Sequence, residues 1–258
     1  MQKLNGFIEI VKKAGEIFKE GFEKKVEIHS KGIKDLVTEY DVKVEKFLIK
    51  EFEKYPEYSI IAEESIQDKF DNSIIIDPID GTTNFAHHIP HCAISVGVYE
   101  NRHPKYGIVY NPILNELYYA KKGEGAFKND QRIYVSNQRD FQRSLIATGF
   151  PYSSAECEED LQWVIKKLSH ILPRCQDIRR LGSASLDLCY VAEGKYEGFY
   201  EINLKPWDVS AGILIVTEAG GIITNDCNDL YDMFKDRCIV ASNGEIHDEL
   251  VEILCKKL

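Results

Sequence analysis

The densest chemistry in the sequence is the run Ile76-Asp77-Pro78-Ile79-Asp80-Gly81-Thr82-Thr83-Asn84-Phe85, directly after the apolar stretch Ser73-Ile74-Ile75-Ile76. Asp77 stands where that predicted strand ends, and Pro78 forces the chain out of the sheet while fixing its direction. Asp80 follows three residues later, so both carboxylates can converge on one point. Gly81 permits a tight turn, and Thr82 or Thr83 starts a helix whose first N–H groups lack intrahelical partners. Two hard oxygen ligands beside a helix N-terminus describe a site for a divalent cation and a phosphate together. The same residues also fit an Asx turn leading into a capped helix, because Asp-Gly turns are common.

Three other acidic points recur in similar places. Glu63-Glu64-Ser65 ends a short predicted strand, although a surface pair before a helix cap reads the same way. Pro206-Trp207-Asp208 opens a helix, where Asp is also a favoured N-cap. Asp35-Leu36-Val37-Thr38-Glu39-Tyr40-Asp41 follows the basic turn Ser30-Lys31-Gly32-Ile33-Lys34 and by itself is a capped helix start. What the four share is position at strand ends and helix starts, where loops gather and sites form.

The elements that must position these groups show in the periodicity. Leu4, Phe7, Ile8, Val11, Ala14 and Phe18 recur at i, i+3, i+4, i+7, which predicts a helix closed by Gly21. A second helix starts near Thr38, carries Val44, Phe47, Leu48 and Tyr55, and stops before Pro56. Residues 59–62 and 73–76 read as buried strands, followed by strands over 93–99, 106–110, 116–120 and 132–135. This half predicts two helices covering one face of a largely antiparallel sheet. The second half alternates: helices over 160–171, 184–192, 208–219 and 246–256, strands over 177–180, 198–202, 222–223 and 239–241. That alternation predicts a second layered α/β unit. The boundary falls near 136–144, giving halves 1–140 and 141–258; with no flexible linker between them, they are expected to pack as one rigid body.

The chain has 258 residues, 44% of them apolar, so it can bury a sizeable core. Lys plus Arg is 32 and Asp plus Glu is 42, a net charge of −10. That balance, without a basic stripe, argues against direct binding to nucleic acid or an anionic membrane. Anions can bind only where a local device overrides the field. No signal-peptide pattern or apolar stretch of transmembrane length is visible. The seven cysteines are scattered with no CxxC spacing, which predicts a reducing cytoplasm and mostly buried thiols.

In combination these motifs resemble the inositol monophosphatase family of magnesium-dependent, lithium-sensitive phosphatases, in its bacterial branch. The matching segments are Asp35-Leu-Val-Thr-x-x-Asp41, Glu63-Glu64-Ser65, Asp77 to Phe85, Gly182-Ser183-Ala184 and Trp207-Asp208. Tyr106 to Tyr110 and Gly123-Glu124-Gly125-Ala126-Phe127 match the family's middle sheet, and the resemblance runs from about Lys31 to Asn243. It implies a mixed α/β (α+β) fold, a layered α-β-α-β-α sandwich. It implies that Glu63, Asp77, the Ile79 carbonyl, Asp80 and Asp208 hold more than one Mg²⁺ ion, with Li⁺ as an inhibitor. Glu63 and Thr82, with Asp41 behind the threonine, would orient the attacking water. The Gly81 and Thr82 N–H groups would bind the phosphate, with Ile79, Asp80 and Asp208 also beside the substrate. Glu201 would meet substrate hydroxyls, Gly182, Ser183 and Ala184 would form the pocket wall, and Arg179 would contact substrate.

The chemistry is consistent with those roles. A phosphate monoester is a dianion and this chain is acidic, so bound Mg²⁺ must invert the local field. Phosphoryl transfer depends mainly on positioning and charge neutralisation, and no convincing Ser–His or Cys–His nucleophile is present. The resemblance implies a small phosphorylated polyol or sugar as substrate, with inositol 1-phosphate ahead of fructose 1,6-bisphosphate, histidinol phosphate or a nucleotide 3′-phosphate. It also implies a homodimer, and in some bacterial members a protein-partner role in ribosomal RNA transcription complexes. His87, His88 and His91 depart from the family pattern. His87 and His91 could ligate a metal only on a helix, which Pro90 opposes, so they are expected over the site or at a subunit contact.

Overall fold

The structure, a computed structural model, describes residues 2–24, 36–63 and 70–255 in full and 28–30 in backbone. Residues 31–34, Asp35, Glu64, Ser65 and Lys256 of the motifs and elements above lie outside the described residues. No described helix is long and apolar enough to cross a membrane.

The first layer is α1 (Gln2–Phe22), a short antiparallel ribbon of β1 (Ile28–Ser30) and β2 (Leu36–Thr38), and α2 (Glu39–Phe52). Thr38 caps α2 as expected, its hydroxyl accepting from the N–H groups of Tyr40 and Asp41. Tyr55 lies beyond the end of α2, where its ring packs edge-on against Phe7.

The second layer is a seven-stranded sheet. Its members are β3 (Ser59–Ala62), β4 (Ser73–Asp80), β5 (Ala93–Glu100), β6 (His103–Asn111), β7 (Glu116–Lys121), β8 (Gly125–Lys128) and β9 (Gln131–Ile133). They lie in chain order, with only β3 and β4 parallel. The short helix α3 (Thr82–Ala86) joins β4 to β5. Successive side chains point to opposite faces. Ile74, Ile76, Ile94, Val96 and Ile108 therefore pack against α1 and α2. Ile75, Ala93, Val109 and Tyr118 face the other way. A sheet covered on both sides needs apolar residues at every position, which is why Ile74-Ile75-Ile76 is unbroken.

A 3-10 turn at Phe141–Arg143 leads to β10 (Leu145–Thr148); a second, at Tyr152–Ala155, leads to α4 (Glu158–Ile171). Then follow β11 (Asp177–Arg179), α5 (Ala184–Ala192), β12 (Gly198–Ile202), α6 (Pro206–Glu218), β13 (Ile222–Thr224), β14 (Cys238–Ser242) and α7 (His247–Cys255). The second sheet has the order β11-β10-β12-β14-β13. Strand β10 is parallel to both neighbours, while β14 is antiparallel to β12 and β13.

Helices α5 and α6 fill the space between the sheets. Leu186, Leu188, Val209, Leu214 and Ile215 share one core with Val109 and Tyr118 of the first sheet and Phe199 and Ile239 of the second. On the far side of the second sheet, Ile146, Tyr200 and Val240 pack with Ile171 of α4 and Leu250 and Leu254 of α7. The architecture is the expected α-β-α-β-α sandwich. Two glycines allow α6 to lie directly on the first sheet. A Cβ on Gly97 would stand 2.4 Å from Ser210 Oγ, and one on Gly107 would stand 2.5 Å from the Ala211 carbonyl.

Three expectations change. Strand β4 does not end at Asp77: it continues to Asp80, with a register shift between Asp77 and Asp80. Pro78 has no N–H to donate and sits inside that irregularity, where a ladder bond is already missing. The strands β8 and β10 and the β1–β2 ribbon were not expected from the periodicity. All seven cysteines are free thiols, and only Cys92, Cys189 and Cys238 are buried. Cys227 lies in the loop before β14 and Cys255 ends α7, so both are exposed.

Candidate active site

The irregular end of β4 builds the centre of the site. Asp77 Oδ1 accepts the N–H of Ile79 at 3.0 Å, folding the chain back over the carboxylate. Asp80 points its Oδ2 at the N-terminus of α5. There it accepts from Ser183 Oγ at 2.6 Å, Ser185 N at 2.7 Å and Ser185 Oγ at 2.5 Å. Gly81 then turns with φ +88°, a left-handed conformation that suits glycine. A Cβ there would stand 3.0 Å from the Gly182 carbonyl and 3.1 Å from that of His91. Asn84 clamps the turn from behind, donating to the carbonyls of His91 and Leu181, each at 2.7 Å.

Thr82 opens α3, and its hydroxyl lies 3.1 Å from Asp41 Oδ1 and 3.0 Å from the Ile79 carbonyl. Asp41 is held in turn by Thr38, whose N–H and hydroxyl donate to Oδ2 at 2.8 Å and 2.5 Å. Glu63 follows β3, which the parallel pairing sets beside β4; its N–H donates to the Ile76 carbonyl at 3.3 Å. Asp208 lies in the first turn of α6, where its Oδ2 accepts the Lys205 N–H at 2.6 Å. It thus serves as both helix cap and cavity wall. Glu201 projects from β12 against Gly149, where a Cβ would stand 2.0 Å from its Oε2.

Glu63, Asp77, Ile79, Asp80, Thr82, Glu201 and Asp208 line one cavity of about 350 Å³. Its acids are Glu63, Asp77, Asp80, Asp187, Glu201 and Asp208, against Arg180 and Lys205. The imbalance shows in the ionisation. Burial pushes Asp77 well above the usual carboxylate range, and Glu63, Asp80, Asp208 and Asp41 push it further. Burial and Asp80 likewise raise Asp208, with the Lys205 N–H opposing. Burial and the Asp208 charge raise Glu201. Asp80 is raised by burial, with Ser183 and Ser185 opposing. Buried like charges of this kind call for a counter-charge.

The donors are carboxylate and carbonyl oxygens, which suit a hard cation such as Mg²⁺ rather than a thiolate- or imidazole-seeking metal. Among the described residues no three His, Cys, Asp or Glu side chains are already gathered around a single point. Asp80 and Asp208 each turn one oxygen to protein donors, so the acids line the wall rather than form a closed cage.

Of the residues expected at the site, Glu63, Asp77, Ile79, Asp80, Gly81, Thr82, Gly182, Ser183, Ala184, Glu201 and Asp208 line this cavity, and Asp41 stands behind Thr82. Arg179 does not. It ends β11 and pairs with Asp177 at 2.6 Å, while its neighbour Arg180 reaches the cavity. Arg179 is the last residue of β11, and Arg180 follows where the chain leaves the strand.

Asp187, Ser185, Lys205 and the 149–153 segment were not anticipated at the site. Asp187 could have been suspected as the one charge in the apolar helix Ala-Ser-Leu-Asp-Leu-Cys-Tyr-Val-Ala. Burial raises it to about 6 despite His91, whose Nε2 lies 3.6 Å from its Oδ1. Only His91 of the three histidines is buried; His88 is exposed, with Nδ1 2.6 Å from the Phe22 carbonyl.

Known proteins share both this sequence pattern and this fold. Residues 2–258 match the inositol monophosphatase family. The chain belongs to the inositol monophosphatase family. It is 38% identical over 255 residues to a protein named Nus factor SuhB from Pasteurella multocida, covering 96% of this chain and 94% of that one. Among solved structures it resembles extragenic suppressor protein suhB from Bartonella henselae, with TM-score 0.92, 36% identity and full coverage of both chains. It also resembles an IMPase from Thermotoga maritima, with TM-score 0.90 and 37% identity over 98% of this chain and 97% of that one. Membership of the inositol monophosphatase family carries metal binding and phosphatase chemistry in general, and the family is generally Mg²⁺-dependent.

Proposed function

We propose that the protein is a Mg²⁺-dependent phosphomonoesterase that hydrolyses inositol 1-phosphate or a similar small polyol or sugar phosphate. The observation that carries this reading is the excess of acids in the cavity, where the buried Asp77 and the half-buried Asp208 are both held above the usual carboxylate range, by desolvation and by the acids around them. Such a cavity repels a phosphate dianion unless a cation is present. Glu63, Asp77, the Ile79 carbonyl, Asp80 and Asp208 would hold more than one Mg²⁺, which supplies charge neutralisation and a water made acidic enough to attack.

The chain's own residues do the rest. Thr82, steadied by Asp41, and Glu63 orient the attacking water. The N–H groups of Gly81 and Thr82 lie at the left-handed turn before α3 and serve the phosphate oxygens. Glu201, held against Gly149, accepts from the hydroxyls of the departing polyol. Gly182, Ser183 and Ala184 close the wall, and Arg180 takes the substrate contact once expected of Arg179. The reading includes Li⁺ inhibition, a homodimer, and residues 1–140 and 141–258 moving as one body. The core shared across α5 and α6 supports that last point.

Phosphate release is the test, with inositol 1-phosphate, fructose 1,6-bisphosphate, histidinol phosphate and adenosine 3′,5′-bisphosphate as substrates. Each is run with Mg²⁺, with EDTA and with Li⁺. Turnover that requires Mg²⁺ and is best on inositol 1-phosphate supports the reading; no turnover of any substrate by folded, Mg²⁺-loaded protein overturns it. The relatives named as Nus factors favour a second reading, a protein partner in a transcription complex. Asp80→Ala separates the two, since a phosphatase needs that carboxylate and a partner surface does not.

A further inference from the structure

Part of the cavity wall carries no carboxylate: residues 149–153 after β10, and 202–205 between β12 and α6. Neither stretch is stiff in itself. Residues 152–155 make a single 3-10 turn, and Asn203 adopts φ +64°, in the left-handed region. Asparagine enters that region more readily than most side chains, so the turn keeps this one geometry only where a neighbour enforces it.

The enforcing group is Asp160, in the first turn of α4, 6% exposed and outside the cavity lining. Its Oδ2 accepts from the Ser153 hydroxyl and, at 2.7 Å, from Asn203 Nδ2. Its Oδ1 accepts from the Arg237 guanidinium. Asn203 Nδ2 also donates to Ser153 Oγ at 3.0 Å, and the Asn203 N–H donates to the Arg237 carbonyl at 2.8 Å. Burial alone would raise the Asp160 carboxyl, but the Ser153 and Arg237 hydrogen bonds hold it below the ordinary range. Both loops therefore hang from one ionised carboxylate.

We propose that Asp160 is a positioning residue that sets substrate selectivity by fixing the carboxylate-free wall of the cavity. This rests on the phosphatase reading above. There the phosphate goes to the acidic, cation-holding side, so the organic part of the substrate meets residues 149–153 and 202–205. The Ser153 hydroxyl and Asn203 Nδ2 are already engaged with Asp160 and with each other. What they offer a substrate is a fixed shape, and a ring-sized polyol depends on that shape more than a short chain does.

The experiment compares inositol 1-phosphate with glycerol 2-phosphate on wild type and Asp160→Asn, at saturating Mg²⁺ and across a Mg²⁺ titration. Losing charge-assisted hydrogen bonds at this node should raise KM for inositol 1-phosphate about tenfold while leaving kcat within about twofold. The kcat/KM for glycerol 2-phosphate and the Mg²⁺ half-saturation should stay within about twofold. Equal losses on both substrates, a shifted Mg²⁺ requirement or no change at all would overturn the proposal. If Asp160→Asn does not fold, Arg237→Gln, which lies outside the cavity lining, removes one arm of the node and is read by the same criteria. Wild type inert toward both substrates would overturn this proposal, whereas the phosphatase reading falls only if the whole panel above is inert as well.

Discussion

Thr82 Oγ1 lies 3.1 Å from Asp41 Oδ1, joining the start of α3 to the first turn of α2 across the molecule. The other Asp41 oxygen is taken by Thr38, so one carboxylate both caps a helix and orients a hydroxyl at the cavity. Thr82 has a single proton to give and two acceptors within reach, Asp41 and the Ile79 carbonyl. An ionised Asp41 is the stronger acceptor and leaves the threonine lone pairs turned toward the cavity.

Removing that carboxylate should separate the two roles. Asp41→Ala should lower kcat by about 100-fold or more and cost about 1–2 kcal/mol of stability, as lost caps do. Thr82→Val should match the loss in kcat without the loss of the cap. Steady-state kinetics and urea unfolding on the pair check this, and equal stability losses in both variants would contradict it.

The buried acids make metal binding and pH act together on stability. The folded-state pKa of Asp77 is raised above its unfolded value. Its ionisation therefore opposes folding, and the Mg²⁺-free protein should gain stability as pH falls through that raised value. A cation bound only by the folded state offsets the same repulsion. Mg²⁺ should therefore raise Tm more at pH 8 than at pH 6. Asp77→Asn should raise the Tm of Mg²⁺-free protein at pH 8 while abolishing Mg²⁺-dependent turnover. Calorimetric scans at the two pH values decide it; a larger Mg²⁺ effect at pH 6 would count against a charge-relief origin.

Gly149→Ala should disturb Glu201 rather than the fold. The clash is with the far end of a side chain that can swing aside. Stability should change by less than about 1 kcal/mol, while KM for inositol 1-phosphate rises by about tenfold. A large fall in Tm with unchanged KM would assign the glycine to packing alone.

Gly107→Ala is the opposite case. Its Cβ would meet the Ala211 carbonyl at 2.5 Å, and backbone cannot swing aside. Forcing α6 off the sheet should cost about 1–3 kcal/mol, as overpacking does. Because Asp208 lies in the first turn of the same helix, Mg²⁺ affinity should fall as well. Denaturant melts and a Mg²⁺ titration of turnover measure both; a variant of unchanged stability would show that α6 is free to shift.

Much of this arrangement was legible in the sequence because its signals are local. The cap at Thr38, the ends of α5 and β12, and the Asp77-to-Phe85 segment each depend on residues a few positions apart. What stayed hidden depends on distant partners. Strand β8 is short and begins at Gly125, and exists because it pairs with β7 and β9. The continuation of β4 through Pro78 is visible only once β5 resumes pairing at Ala93. That Arg180 rather than Arg179 reaches the cavity follows from where the chain leaves β11. Asp160 carries no sequence signal, since its partners lie 7, 43 and 77 residues away.

Helix α6, lodged between the sheets, has a consequence for how the protein is made. A ribosome delivers the seven strands of the first sheet and their α1–α2 cover well before residues 206–218 emerge. Until then the sheet's inner face, with Val109 and Tyr118, lacks most of its cover, since α5 alone meets only part of it. The unfinished chain must present that sticky face to its surroundings. It also carries Asp77 and Asp80 without Asp208, so the acidic cavity is complete only once the middle layer closes. Arrest of synthesis between residues 134 and 205 should yield a nascent chain dependent on chaperones, and release past α7 should end that dependence.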